Sequence, residues 1–123
     1  MAKILVVEDD VWSRRLVIDL LEMRGHDVLA AGDIPRARAM LQQGPEVVLL
    51  DLHVPGGGGQ ALLAEIRADA ALRELPVIAF TASAMTGDRE RFLRLGFTSY
   101  LSKPIDVREF GPVIESYVGG PPA

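Results

Sequence analysis

The strongest constraint on the fold is a regular alternation between short apolar runs and longer segments with helical periodicity. Five runs rich in aliphatic and β-branched residues predict strands at residues 4–7, 28–31, 47–50, 77–80 and 99–101. The segments between and after them predict helices at about residues 11–24, 33–43, 59–69, 86–95 and 106–118. Such alternation along the whole chain predicts an α/β fold with right-handed crossovers.

The strand pattern also indicates how the sheet is organised. Three of the runs are continuously apolar, which is typical of parallel strands buried on both faces. Five strands with five helices suggest a doubly wound parallel sheet, flavodoxin-like, in the order 2-1-3-4-5. With 123 residues the chain suits one domain, so we expect a single domain over residues 1–118 and a flexible Gly/Pro-rich tail over 119–123.

Composition excludes several classes of protein. The chain has no cysteine, which rules out disulfides and thiolate zinc sites, and its net charge of -4 argues against non-specific nucleic-acid binding. No apolar run approaches the roughly 18 residues that span a bilayer, and the run after Lys3 is too short for a signal peptide. We therefore expect a cytoplasmic protein that binds neither nucleic acid nor membrane.

Reactive side chains follow four of the predicted strands. They are Glu8, Asp9 and Asp10 after the first strand, Asp51 after the third, Thr81 after the fourth and Lys103 after the fifth. Ligands of open parallel sheets bind at the carboxyl ends of the strands, so these side chains should converge at one edge.

Clustered carboxylates repel one another and need a cation to neutralise them. Oxygen ligands without Cys or paired His favour a hard ion, above all Mg²⁺. A nucleophilic carboxylate, a metal site, the ammonium of Lys103 and the hydroxyl of Thr81 are together the groups that phosphoryl transfer requires. Asp51 is the candidate nucleophile.

Four motifs carry a family resemblance. The strings ILVVEDD, VVLLDLHVP, IAFTASAM and YLSKPI, in this order over residues 3–118, resemble the response-regulator receiver domain of two-component signalling. The stretch TASAMTGDRERFLRLGFTSYLSKPI is most similar to stand-alone cell-cycle receivers and to receivers of hybrid histidine kinases. The resemblance implies a phosphorylation switch that catalyses only its own phosphorylation and dephosphorylation.

The resemblance also implies residue roles. Asp51 would accept the phosphoryl group, Lys103 would contact it, and Thr81 would hydrogen-bond it. Glu8, Asp9, Asp51 and the backbone carbonyl of His53 would hold Mg²⁺. Tyr100 would be the aromatic switch that turns inward when Thr81 moves, and the peptide bond before Pro104 would be cis.

Partners follow from the same resemblance. A histidine kinase or a phosphotransfer protein would donate to Asp51, and phosphorylation would reshape the face formed by helix 4, strand 5 and helix 5 for a downstream protein. Candidate surface residues on that face are Arg89, Arg94, Tyr100 and Arg108.

Structural roles are predicted for three further residues, and the side chain of His53 has two possible interpretations. Asp10 is expected to cap the first helix, Trp12 to pack at its start, and His26 to be structural. His53, two residues after the phosphoacceptor, departs from the family pattern. Its imidazole either affects the attack of water on the phosphoryl group or faces solvent.

Three other functions compete. A phosphatase of the haloacid-dehalogenase type also uses Asp and Mg²⁺, but it needs a second Asp where His53 stands, and its nucleophile follows the first strand. A nucleotide-binding Rossmann module needs G-x-G-x-x-G after strand one, where acids stand here. A degenerate receiver would lack reactive positions that this chain fills.

Overall fold

Parallel pairing joins the apolar runs into one sheet in the computed structural model of the chain. The structure describes residues 2–54, 56, 58–81, 88–103 and 105–118. The strands are β1 Lys3–Val7, β2 Asp27–Ala31, β3 Val47–Asp51, β4 Val77–Thr81 and β5 Ser99–Ser102. Their order is β2-β1-β3-β4-β5 with every pair parallel, which confirms the predicted doubly wound fold.

Helices follow the strands as predicted, with shifted ends. They are α1 Val11–Met23, α2 Ile34–Met40, α3 Gly59–Ala68, α4 Asp88–Leu95 and α5 Val107–Glu115. Two predicted ends were wrong: α2 stops at Met40 and tightens into a 3₁₀ turn over Leu41–Gln43, and α5 stops at Glu115 rather than near Val118. The first two residues of the helix predicted at 86–95, and the predicted tail at 119–123, lie outside the described residues.

Side-chain caps fix the beginnings of three helices. Asp10, Asp33 and Asp106 each accept a hydrogen bond from a backbone N–H of the first turn, which confirms Asp10 as the cap of α1. At the other end, Gly25 follows α1 with a φ of +88° and Gly96 follows α4 with a φ of +111°. Glycine adopts this conformation without a steric penalty, so both helices end where the sequence predicts.

Alternate residues of each strand point to opposite faces of the sheet, and each face carries its own hydrophobic cluster. Leu5, Val7, Leu50 and their neighbours pack with α2, α3 and α4 on one face. Ile4, Val6 and Phe80 pack with α1 and α5 on the other. The central strands are therefore buried on both faces.

No helix within the described ranges has the length and apolar character needed to cross a bilayer.

The apolar residues of α1 are divided between the core and the surface. Val17 and Leu21 are fully buried against the sheet. Trp12 is 82% exposed, so its predicted packing at the start of the helix is wrong, and Leu16 is 45% exposed. Helix α1 therefore carries both a buried apolar line and an exposed apolar surface.

Candidate functional site

The predicted reactive side chains converge at the carboxyl edge of the sheet. β3 ends at Asp51 and β4 at Thr81, each one residue beyond the last apolar position, and the residue after β1 is Glu8. Thr81 pairs with Ser102 of β5, and the N–H of Lys103 donates to the Thr81 carbonyl at 2.9 Å. Backbone pairing therefore brings the start of the Lys103 side chain beside the ends of the central strands.

Three carboxylates form a compact cluster at this edge. Glu8, Asp9 and Asp51 each offer an oxygen, and these oxygens lie within 4.8 Å of one another. The Glu8 side chain is fully buried, that of Asp51 is nearly so, and Asp9 is exposed. The cluster thus opens to solvent on the side of Asp9.

Lys103 is the cation of the cluster. Its Nζ donates to Asp51 Oδ2 at 2.8 Å and also to Glu8 Oε1. The same ammonium lies 4.8 Å from the centroid of the Phe80 ring, at the range of a cation–π contact. Lys103 is therefore held by two carboxylates and an aromatic face.

One positive charge does not satisfy two buried carboxylates. Burial, together with a hydrogen bond to Asp51, raises the pKa of Glu8 to about 7 against the opposing effect of Lys103. Burial also acts to raise the pKa of Asp51, but hydrogen bonds with Glu8, Lys103 and the His53 N–H outweigh it and leave that pKa below its usual value. For Lys103, burial lowers the pKa, and the two carboxylates more than compensate and raise it.

The buried oxygen of Glu8 shows what the cluster lacks. Within the described part of the chain, Glu8 Oε2 is inaccessible to solvent and has no hydrogen-bond partner when the carboxyl is ionised. A buried anionic oxygen without a donor is costly, and it is the arrangement that a bound cation relieves. The donor set consists of carboxylate oxygens, which suits a hard divalent ion such as Mg²⁺.

The backbone of His53 faces the Asp51 carboxylate. Its N–H donates to Asp51 Oδ1 at 2.8 Å, so both oxygens of Asp51 have a donor. The His53 side chain is exposed and lines a cleft of about 400 Å³ together with Gln60, Thr81 and Arg91. The role of the His53 carbonyl as a metal ligand stays a prediction.

The predicted switch residues lie one strand apart. Thr81 is fully buried at the end of β4 and is one of the residues that line the cleft. Tyr100 is half-buried on β5, and its ring packs on Phe92 of α4 with centroids 5.6 Å apart. Thr81, α4 and Tyr100 therefore share one side of the sheet.

The surface predicted for a downstream partner is described in part. Arg94 on α4 and Arg108 on α5 are exposed, as expected of contact residues. The side chain of Arg89 and the residue Pro104, with its predicted cis bond, lie outside the described residues. His26 is structural as predicted: its Nε2 lies 2.7 Å from Glu115 Oε2 and ties the start of β2 to α5.

Sequence reasoning missed several residues around the site. Arg14 of α1 donates to the Glu8 carbonyl at 3.0 Å, and Arg91 and Gln60 line the cleft beside Thr81. Phe80, predicted only as a strand residue, supports Lys103. A polar residue on the first turn after the acids was the available signal for Arg14, and the other contacts depend on distant elements.

Comparison with known proteins gives consistent matches. The response regulator receiver domain family matches residues 4–115. The polar-differentiation response regulator DivK of Brucella ovis is 35% identical over 117 residues, which cover 94% of this chain and 95% of that protein. The receiver domain of the sensor histidine kinase PA1611 from Pseudomonas aeruginosa PAO1, crystallised with a magnesium ion coordinated in its active site cleft, is 33% identical. That structure has a TM-score of 0.85 and covers 96% of this chain and 98% of its own.

A further structure shares the fold at lower identity. The chemotaxis response regulator CheY4 of Vibrio cholerae has a TM-score of 0.87 and 24% identity, with 96% of this chain and 99% of that chain covered.

Proposed function

Because this chain belongs to the family of response regulator receiver domains, we propose that Asp51 accepts a phosphoryl group from a histidine kinase or a phosphotransfer protein in a Mg²⁺-dependent reaction. The observation that carries the proposal is the contact of Asp51 with Lys103, beside Glu8 and Asp9, at the carboxyl edge of the sheet. Residues 1–118 would form the receiver unit.

The transfer is a single displacement at phosphorus. A carboxylate oxygen of Asp51 bonds to phosphorus while the phosphorus–nitrogen bond of a donor phosphohistidine breaks, and the released imidazole nitrogen takes a proton from water. Lys103 Nζ, which contacts Asp51 Oδ2, would then donate to an oxygen of the phosphoryl group. Thr81, on the wall of the adjoining cleft, would donate its hydroxyl proton to another.

Glu8, Asp9, Asp51 and the His53 carbonyl would hold the metal. When bound, Mg²⁺ would neutralise the carboxylates and the oxygens of the incoming phosphoryl group. The buried, unpartnered Oε2 of Glu8 and the opening of the cluster at Asp9 support this assignment.

Phosphorylation would act as a population shift. A phosphoryl group bound to Thr81 and Lys103 favours the conformation in which both contacts are made. Since Tyr100 packs on α4 and Lys103 follows β5 directly, this shift would change the α4–β5–α5 face and its affinity for a downstream protein. Arg94 and Arg108 would contact that protein.

An apolar surface on α1 supports docking of the phosphodonor next to the acids. Val11 and Trp12 follow Asp9 and Asp10 directly and are 61% and 82% exposed, and Leu16 and Met23 extend this surface along the helix. A phosphotransfer protein that labels the parent should label Trp12→Ala more slowly, whereas acetyl phosphate should label both at one rate. Leu93→Ala, at an exposed position of α4, is the matched control and should behave as the parent.

Labelling with a small phosphodonor tests the core of the proposal. Acetyl phosphate with Mg²⁺ should place one acid-stable, base-labile phosphoryl group per chain, and labelling should cease with EDTA and in Asp51→Asn. Asp27→Asn, an exposed acid at the opposite edge of the sheet, should be labelled like the parent. Retained labelling of Asp51→Asn would overturn the assignment, and turnover of a phosphomonoester beyond one equivalent would favour a phosphatase.

A further inference from the structure

The loop that carries the acids is held by backbone contacts on both sides of Glu8. The N–H of Glu8 donates to the Ala31 carbonyl at the end of β2, at 3.0 Å. The carbonyl of Glu8 accepts a hydrogen bond from Arg14 Nη1, also at 3.0 Å. The guanidinium therefore reaches back from the first turn of α1 to the residue that directly follows β1.

The direction of the Glu8 carbonyl affects both Glu8 and Asp9. This carbonyl belongs to the planar peptide that joins the α-carbons of Glu8 and Asp9, so its direction sets how both residues leave the backbone. Asp10 is fixed separately, because its side chain caps α1 through the Ser13 N–H at 2.9 Å. The bond from Arg14 thus controls the one peptide plane shared by two of the three clustered carboxylates.

The space for Arg14 exists because residue 32 is glycine. A Cβ atom at Gly32 would lie 2.8 Å from Arg14 Nη1 and 3.9 Å from the Glu8 carbonyl oxygen. A side chain there would displace the guanidinium from the loop. Gly32 directly follows β2 and is partly buried.

We propose that Arg14 is a positioning residue for the metal site, and that Gly32 provides the opening through which it acts. Arg14 fixes the peptide between Glu8 and Asp9 so that their carboxylates are prearranged for a divalent cation. This inference rests on the metal role of the acids in the proposed function. Outer contacts that orient metal ligands commonly change metal affinity about ten-fold or more.

The sign of the effect separates positioning from electrostatics. A guanidinium near a divalent cation repels it, so loss of the charge alone would tighten Mg²⁺ binding. Loss of the orienting bond would weaken it. Arg14→Met removes both the charge and the bond, and Gly32→Ala leaves the charge and disturbs the bond.

Calorimetric titration of Mg²⁺ into the whole chain, well below its unfolding temperature, tests the proposal. We expect the dissociation constant to rise about ten-fold in Arg14→Met and several-fold in Gly32→Ala. Arg15→Met is the matched control, since it removes the same charge one residue on, where the Arg15 side chain is 72% exposed and pairs with Asp19 on the surface of α1. Its affinity should not fall.

The possible results distinguish the role of Arg14 from the assignment of the metal site. Parent-like or tighter binding by Arg14→Met and Gly32→Ala, with tight binding by the parent, would overturn the role of Arg14 and leave the function standing. A parent that binds no Mg²⁺ would overturn the metal assignment and this proposal together. If Arg14→Met does not fold, Arg14→Lys, which keeps the charge and loses the planar guanidinium, must bind more weakly than the parent.

Discussion

The backbone N–H of Lys103 donates to the carbonyl of Thr81 at 2.9 Å, so the two residues that would bind the phosphoryl group are joined through the main chain. The Lys103 ammonium then turns back to Asp51 Oδ2 at 2.8 Å. Three strand ends are thereby linked through one lysine. A structural change at any of these strand ends should therefore affect the other two.

Lys103→Met should destabilise the protein in the absence of metal. The substitution leaves the carboxylates of Asp51 and Glu8 without their cation, in surroundings where Lys103 is only 19% exposed. We expect a loss of about 1–3 kcal/mol in the free energy of unfolding. Urea denaturation in EDTA, followed by circular dichroism, measures it.

Lys3→Met is the control for Lys103→Met. Lys3 Nζ donates to the exposed carbonyl of Gln43 at 2.9 Å, outside any carboxylate cluster. Its loss should cost under about 1 kcal/mol. Equal losses for the two lysines would show that the cluster does not depend on Lys103.

Glu8 should make the metal-free protein less stable as the pH rises. Its folded-state pKa of about 7 lies above the usual 4.5, so the folded chain keeps a proton that the unfolded chain releases. The contribution of Glu8 to stability is therefore largest below pH 4.5 and falls until about pH 7. Chemical denaturation in EDTA between pH 5 and pH 8 should show this loss.

Glu8→Gln should remove that part of the pH dependence. The amide imitates the protonated carboxyl and does not titrate, so the variant should lose less stability than the parent between pH 5 and pH 8. Glu22→Gln, an exposed position on α1, should keep the parent's slope. A Glu8→Gln variant with an unchanged slope would contradict the raised pKa.

Glu115 should stabilise the contact between α1 and α5 down to low pH. Hydrogen bonds from Arg24, at 2.7 and 2.8 Å, and a contact with His26 lower the pKa of Glu115 to about 2. Since that pKa lies below the usual 4.5, the stabilisation is full above pH 4.5 and is lost as the pH falls to about 2. The melting temperature should therefore fall less steeply between pH 5 and pH 2 in Glu115→Gln than in the parent.

The control for Glu115 is a carboxylate on the same helix. Glu109 is exposed in the first turn of α5, and Glu109→Gln should retain the parent's acid-induced loss. Parallel curves for Glu115→Gln and the parent would show that the pairing with Arg24 does not depend on the charge of Glu115.

Arg67→Met should cost more than the loss of an ordinary surface arginine. Arg67 donates to the carbonyls of Gly96, Arg73 and Leu75 at 2.7–3.0 Å, and so joins the end of α3 to the turn after α4. We expect about 2–4 kcal/mol, because partly buried acceptors lose a charged donor. Arg36→Met is the control, because Arg36 Nε lies 3.7 Å from Asp33 Oδ2 and the Arg36 side chain is 76% exposed. This substitution should change the free energy of unfolding by under about 0.5 kcal/mol in the same urea assay. Similar losses for both arginines would argue against this role of Arg67.

The sheet edge was predictable because two kinds of local signal agree there. Apolar runs gave the strands, and reactive side chains directly after them gave the edge, so Asp51, Thr81, Glu8 and Asp9 were found without long-range information. The predicted strands stopped one residue early at Asp51 and Thr81, since backbone pairing continues past the last apolar side chain.

Contacts between distant elements were beyond the sequence. Arg14 and Arg67 act on backbone carbonyls of other segments, and a carbonyl has the same chemistry in every residue. The exposure of Trp12 was not predicted because an apolar residue at the start of a helix can face either the core or solvent, and only tertiary packing decides that Val17 and Leu21 face the sheet.

The exposure of Trp12 makes the protein its own optical reporter. It is the single tryptophan in the chain, it stands two residues after Asp10, and it is 82% open to solvent. Its emission should be that of a hydrated indole, quenched readily by iodide and little altered by urea. A protein that covers α1 should shift this emission to the blue and shield it from iodide, so that encounter with a donor can be timed without any attached dye.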